Sequence, residues 1–174
     1  MKRITILATL TLFSAVLFTA CGDTEPVDPA VLTGVTNDDV VGRYQLTAFN
    51  TDVQTDLNRD GSPSSNQMSE TTCYNNMFLT LNEDKTFTAD SKGVDISSIN
   101  SLQCFTDPLI TGTWAYNGNT IVLTYTENNI EHNESFSVSG IKLVAREDQG
   151  TIVGIPIDTP EFISSGVTMI YTKQ

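Results

Sequence analysis

Residues 112–125 read Gly-Thr-Trp-Ala-Tyr-Asn-Gly-Asn-Thr-Ile-Val-Leu-Thr-Tyr. Two runs, GTWAY and TIVLTY, flank Asn117-Gly118-Asn119. Both are rich in the β-branched and aromatic side chains that strands favour. Asn-Gly supplies the positive φ angles that a tight turn between strands needs. The stretch is the clearest β-hairpin in the chain, and the rest of the fold follows outward from it.

Upstream, VVGRYQLTAFN alternates apolar and polar residues after a local break at Gly42, which points Val41, Tyr44, Leu46 and Ala48 inward. Phe78-Leu79-Thr80-Leu81 and Thr86-Phe87-Thr88-Ala89 bracket Asn82-Glu83-Asp84-Lys85, a second hairpin with a four-residue turn. Downstream come ESFSVSG and IKLVARE with Gly140 between them, and GVTMIYTK closes the chain. TIVGIPI is a weaker strand, interrupted by Gly154 and Pro156. Helical turns are expected only at 95–102 and 160–163. The pattern is all-β. Short connections between successive strands predict an up-and-down antiparallel β-barrel of about eight strands, since closure removes exposed edges. Such a barrel either fills with side chains or holds one small ligand. No repeat with a period of 20–50 residues is visible, which excludes a propeller or solenoid.

Composition sets the outer limits. A chain of 174 residues, 39% hydrophobic, builds one domain with a real core. Nine Lys and Arg stand against 21 Asp and Glu, a formal charge of −12. So acidic a surface repels phosphate backbones and excludes a nucleic-acid partner. One His and three Cys leave little material for a His-rich metal site or a His-based catalytic triad. A non-catalytic monomer is expected.

The front of the chain carries an address. Met-Lys-Arg precedes ITILATLTLFSAVLFTA and then Cys21, the layout of a secretory signal peptide. Phe18-Thr19-Ala20-Cys21 resembles the bacterial lipobox, with Phe18 where Leu is usual. The resemblance implies cleavage before Cys21 and acylation of its sulfur. Two acyl chains hold a protein in a bilayer far better than one. Residues 22–39, GDTEPVDPAVLTGVTNDD, hold prolines, glycines and acids without a hydrophobic period, as a tether does. Asp23, Glu25 and Asp28 resemble the export signals of surface lipoproteins in Bacteroidetes. The expected organisation is a signal peptide over 1–20, a lipidated tether over 21–39 and a barrel over 40–174. The expected location is the outer membrane, lipid-anchored and facing outward.

Two cysteines remain, Cys73 and Cys104. An exported chain most simply pairs them in a disulfide.

Several of these residues also carry a family resemblance. Gly42-Arg43-Tyr44 resembles the opening Gly-x-Trp of lipocalins, with Tyr in place of Trp. Thr111-Gly112-Thr113-Trp114 and Asn117-Gly118-Asn119-Thr120-Ile121 are similar to the central hairpin of lipocalin-like lipoproteins from Bacteroidetes, as is the order of motifs from Asp56 through Cys73 to Phe87. The resemblance implies a lipocalin-like barrel on a lipid anchor. Lipocalin-like barrels host binders, a few enzymes and proteins of other roles, so the fold does not assign a ligand.

One run has metal chemistry. Asp56-Leu57-Asn58-Arg59-Asp60-Gly61-Ser62 alternates oxygen donors and ends in Gly-Ser, as a calcium loop does. Asp56, Asn58 and Asp60 would offer side chains, Ser62 its carbonyl, and Glu70 a later carboxylate. The same residues also build a plain polar turn by bonding their own backbone. His132 falls in a polar stretch expected to be a solvated hairpin loop, and Trp114 is expected in the core. Two functions stay open at this point. One is a barrel that binds a small apolar or amphipathic molecule. The other is a filled barrel whose loops contact a partner or glycan.

Overall fold

The structure is a computed structural model that describes residues 37–97, 101–157 and 159–174. The segments expected to be a signal peptide and a lipidated tether, Cys21 included, lie outside the described residues up to residue 36. The elements run α1 (Asn37–Val40), β1 (Gly42–Thr55), β2 (Ser64–Asn66), α2 (Gln67–Glu70), β3 (Phe78–Leu81), β4 (Thr86–Ile96), β5 (Leu102–Asn117), β6 (Thr120–Glu127), β7 (Ile130–Ser139), β8 (Lys142–Ile157) and β9 (Thr159–Lys173).

Every strand pairs antiparallel with its neighbour, and β9 returns to β1 over Thr51–Val167 through Tyr44–Lys173. That last ladder closes an eight-stranded barrel from β1, β3, β4, β5, β6, β7, β8 and β9, with β2 attached to β1 outside the ring. Alternation selects the inner face. On β6, Ile121 and Leu123 are buried while Thr120, Val122 and Thr124 are only partly covered. The central hairpin is as predicted, with a two-residue loop between Asn117 and Thr120. Its turn differs in detail. Only Gly118 has a positive φ, +69°, so Gly takes the first central position as in a type II′ turn. The two-positive-φ turn lies one hairpin later, where Asn128 and Asn129 join β6 to β7.

One end of the barrel is plugged. Tyr44, Leu46, Leu79, Leu81, Phe87, Trp114, Ile121, Phe136 and Leu143 are all buried there. The Trp114 indole N–H donates to the Asn82 carbonyl at 3.0 Å, and the Lys85 ammonium sits 3.8 Å above its ring centre. The α1 turn covers this end, with Val40 buried and its carbonyl accepting from the Tyr44 hydroxyl at 2.7 Å.

Several expectations need correction. Tyr44 and Leu46 point inward, but Val41 and Ala48 are only half-buried. A register shift between Leu46 and Ala48 breaks the alternation and brings Phe49 onto the Tyr74 ring at 4.5 Å. TIVGIPI is no separate strand: it continues β8. Asp95 and Ile96 end β4 and Leu102 opens β5, with residues 98–100 outside the described residues, and 160–163 lies within β9. The helical turns are at Asn37–Val40 and Gln67–Glu70 instead. Four-residue helices have no apolar period to read. The ends of α2 are capped by its neighbours, Asn66 Oδ1 accepting from the Met68 amide and the Thr71 amide donating to the Gln67 carbonyl.

Candidate functional site

The barrel wall parts at the end opposite the plug. β7 pairs with β8 only over Ser137–Ser139 and Lys142–Val144. From there to the 128–129 turn, β7 has no ladder to β8 among the described residues. The gap holds an open pocket of about 420 Å³, lined by Asn133, Glu134, Ser135, Ala145, Arg146, Glu147 and Met169. The other flank behaves alike. β5 pairs with β6 from Gly112 onward, and beyond it lies a second pocket of about 370 Å³ beside Leu109, Ile110, Tyr125 and Glu127. The outer half of the β6–β7 hairpin therefore stands between two spaces.

Period-two alternation sets what reaches inside. On β7, Phe136 is buried in the plug, and Glu134 and His132 follow on the same face toward the mouth. On β9, Tyr171 is followed by Met169, and on β8 Leu143 by Ala145, with Tyr171 opposite Leu143 and Met169 opposite Ala145. One alternation below these positions, the Phe136 and Tyr171 rings meet edge to face at 6.0 Å. Tyr125 joins the two levels. Its ring meets buried Phe87 at 6.3 Å, and its hydroxyl donates to Glu134 Oε1 at 2.7 Å. Burial, then the Glu134 carboxylate and the charge of Glu127, raise the Tyr125 pKa.

Arg146 is the one cation of the lining. It forks onto Asp52 at 2.7 and 2.9 Å and reaches Asp148 at 3.0 Å. Its hydrogen bonds hold the Asp52 carboxyl below the usual range. Alternation puts Arg146 on the opposite strand face from Ala145 and Glu147, so the inward lining carries acids without a cation.

A family model described as a lipocalin-like domain matches residues 40–145. The chain belongs to that family. No curated protein and no solved structure matches the chain. The lipocalin-like match runs from the α1 cover to Ala145 at the pocket.

Cys73 and Cys104 of this lipocalin-like domain are joined in a disulfide, with Cα atoms 5.1 Å apart. The bridge ties the segment before β3 to β5. His132 differs from its expected loop position. It lies within β7, half-buried, with its ring stacked on Tyr125 at 5.1 Å.

Asp56, Asn58 and Asp60 come together on one turn. Asp56 Oδ1 accepts from the Asp60 amide at 3.0 Å and Oδ2 from the Gly61 amide at 2.9 Å. Asn58 Oδ1 also accepts from the Asp60 amide, and Asp60 Oδ1 from the Ser62 amide at 2.8 Å. Glu70 reaches the start of the same segment, where Oε2 accepts from the buried Leu57 amide at 3.1 Å. These are the bonds of a self-capped polar turn. Sequence reasoning missed the pocket residues Glu134, Ala145 and Met169 as a group. Their only signal was shared phase on neighbouring strands.

Proposed function

We propose that the protein is a lipid-anchored binder that holds a small apolar or amphipathic molecule in the mouth of its barrel. One observation carries this reading: Trp114 and its buried neighbours fill one end of the barrel, and toward the other end the wall opens between β7 and β8 on a pocket of about 420 Å³. That volume lies within the range of small-molecule sites. Met169 and Ala145 supply apolar wall, and Glu134 and Asn133 supply polar contacts.

The anchor belongs to the same proposal. Acylated Cys21 would hold the tether at the outer membrane, with the barrel displayed outward. The binder is read as non-catalytic: His132 packs flat on Tyr125 and, among the described residues, has no hydroxyl or thiol partner. A protein-contacting role keeps some support from Leu109, Ile130 and Phe162, large apolar side chains about 60% exposed near the mouth.

Nile red, an uncharged dye that brightens in apolar surroundings, tests the pocket. The expected result is a blue shift with the full chain, lost in Met169→Lys while the far-ultraviolet circular dichroism is retained. No shift with the unmodified chain overturns the reading.

A further inference from the structure

The gap in the wall has a defined main-chain polarity. The Val138 amide donates to the Asn119 carbonyl, on the β6 side. In an antiparallel strand the amide and carbonyl of one residue point the same way, and successive residues point to opposite sides. On β7, Ser137 therefore points at β8, and so do Ser135, Asn133 and Glu131. On β8, the Val144 carbonyl accepts from the Ser137 hydroxyl at 3.2 Å, so Val144 points at β7 and Arg146 does so two residues on. Ser137 and Val144 form the last rung of the ladder toward the mouth. The next pair in phase, Ser135 and Arg146, forms no rung among the described residues, and both line the pocket of about 420 Å³ together with Asn133. The pocket is thus walled by two strand edges whose main-chain groups are turned toward each other across it.

Such edges set the chemistry of an occupant. Each offers amide donors and carbonyl acceptors at the two-residue repeat of a strand. A hydrocarbon answers none of them, and a single hydroxyl or carboxylate answers only one edge. An extended peptide answers both edges, its alternate residues pairing with β7 and with β8, as in the addition of a strand to a sheet. Its inward side chains would stand over Ala145 and Met169, the apolar part of the lining. Charge selects further. Glu134 and Glu147 share the inner face of the walls, Glu131 lies on the outer face of β7, and Arg146 is held by Asp52 and Asp148. A basic peptide meets complementary charge here, and an acidic one meets like charge.

We propose that the gap between β7 and β8 takes a short, basic, extended peptide as an inserted strand, paired with Ser135 and Asn133 on one side and with Arg146 on the other. The inference rests on the small-molecule reading of the same pocket and names its ligand class.

Calorimetric titration of the peptide acetyl-Lys-Val-Lys-Val-Lys-amide into the full chain at pH 7 tests it, beside two control peptides. One has glutamate for each lysine. The other carries a methyl group on both valine amides, so it keeps the charge but can donate to one edge only. The lysine peptide is expected to bind about tenfold or more tightly than either control. When bound, it should slow hydrogen exchange at the Ser135 and Arg146 amides by about tenfold or more. Ser135→Pro removes an amide that points at the gap and should abolish binding. Proline is tolerated at strand edges, and unchanged circular dichroism checks the fold. Equal binding of the methylated peptide overturns the strand pairing and needs no variant to show it. Binding without slowed exchange, or binding retained in Ser135→Pro, overturns it as well. Equal binding of the glutamate peptide overturns the basic assignment. If the lysine peptide does not bind, the inference fails. Nile red then separates the cases: a retained blue shift leaves the pocket reading standing, and its absence removes both.

Discussion

The Tyr125 hydroxyl and the Glu134 carboxylate meet at 2.7 Å, across two strands that pair at this level with each other but not with β8. One bond thus fixes an aromatic side chain packed on Phe87 to an acid of the pocket. Tyr125 is one of four tyrosines whose pKa is raised, and this has a consequence in alkali. Burial pushes Tyr44 and Tyr74 up to about 12, and it lifts Tyr125 and Tyr171 further with help from Glu134. An unfolded tyrosine loses its proton near pH 10. Above that, the unfolded chain binds fewer protons than the folded one, and stability falls as pH rises. The contribution is whole below pH 10 and is lost as pH climbs through about 12. Urea midpoints should be flat in this respect from pH 8 to 9.5 and decline from pH 10 to 12. A flat profile to pH 12 contradicts the burial of these hydroxyls.

Reduction tests the Cys73–Cys104 bridge, which closes a separation of 31 residues. In the chain-entropy model that loop stabilises by about 3–4 kcal/mol. The barrel ladders do not depend on it. The Cys73→Ser, Cys104→Ser double variant should melt roughly 10 °C lower with its β circular dichroism intact. Loss of the β signal at 25 °C would show that the core cannot stand without the bridge.

Trp114 is the only tryptophan, and 3% of it is exposed. Its emission should be blue-shifted and report the plugged end. Trp114→Ala should cost about 3–5 kcal/mol. Trp114→Phe should cost less, although it loses the bond to Asn82. Urea unfolding followed by circular dichroism measures both, and a cost under 1 kcal/mol for the alanine variant refutes the packing.

Asp56 accepts two backbone amides, at Asp60 and Gly61. Asp56→Ala should destabilise by about 1–2 kcal/mol. Calcium at millimolar concentration, added to chelator-treated protein, decides the use of the loop. No rise in melting temperature is expected of a turn that closes on its own amides. A rise of several degrees, lost in Asp56→Ala, assigns the loop to calcium.

Cys21→Ser should leave the precursor unprocessed or release the protein from membranes. Fractionation and acyl labelling check this, and unchanged values in the variant remove the anchor from the proposal.

The plugged half was legible because it has water on one side only. Tyr44, Leu46, Ile121 and Leu123 alternate with polar neighbours, and period two then dictates strand and facing. The mouth half has water on both faces, so Asn128 to Glu134 carries no apolar rhythm and His132 looked like loop. α2 was invisible for another reason. Gln67 is buried because its amide meets Thr55 and Thr51, at 2.9 and 3.1 Å, partners far away in the chain. The pocket depends on where ladders stop. Register offsets between neighbouring strands set that, and alternation is silent about them.

The parting of the wall beside β6 and β7 has a kinetic meaning. Beyond Gly112 on one flank and Ser137 on the other, the hairpin is a cantilever: a two-stranded ribbon clamped at its root by Trp114, Leu123 and Phe136. Bending it breaks no rung of the barrel. Traffic through the mouth is thereby decoupled from the cooperative unfolding of the root. Substitutions that harden the root can raise the melting temperature and leave the residence time of a guest untouched, whereas stiffening the ribbon would lengthen that residence at no gain in global stability.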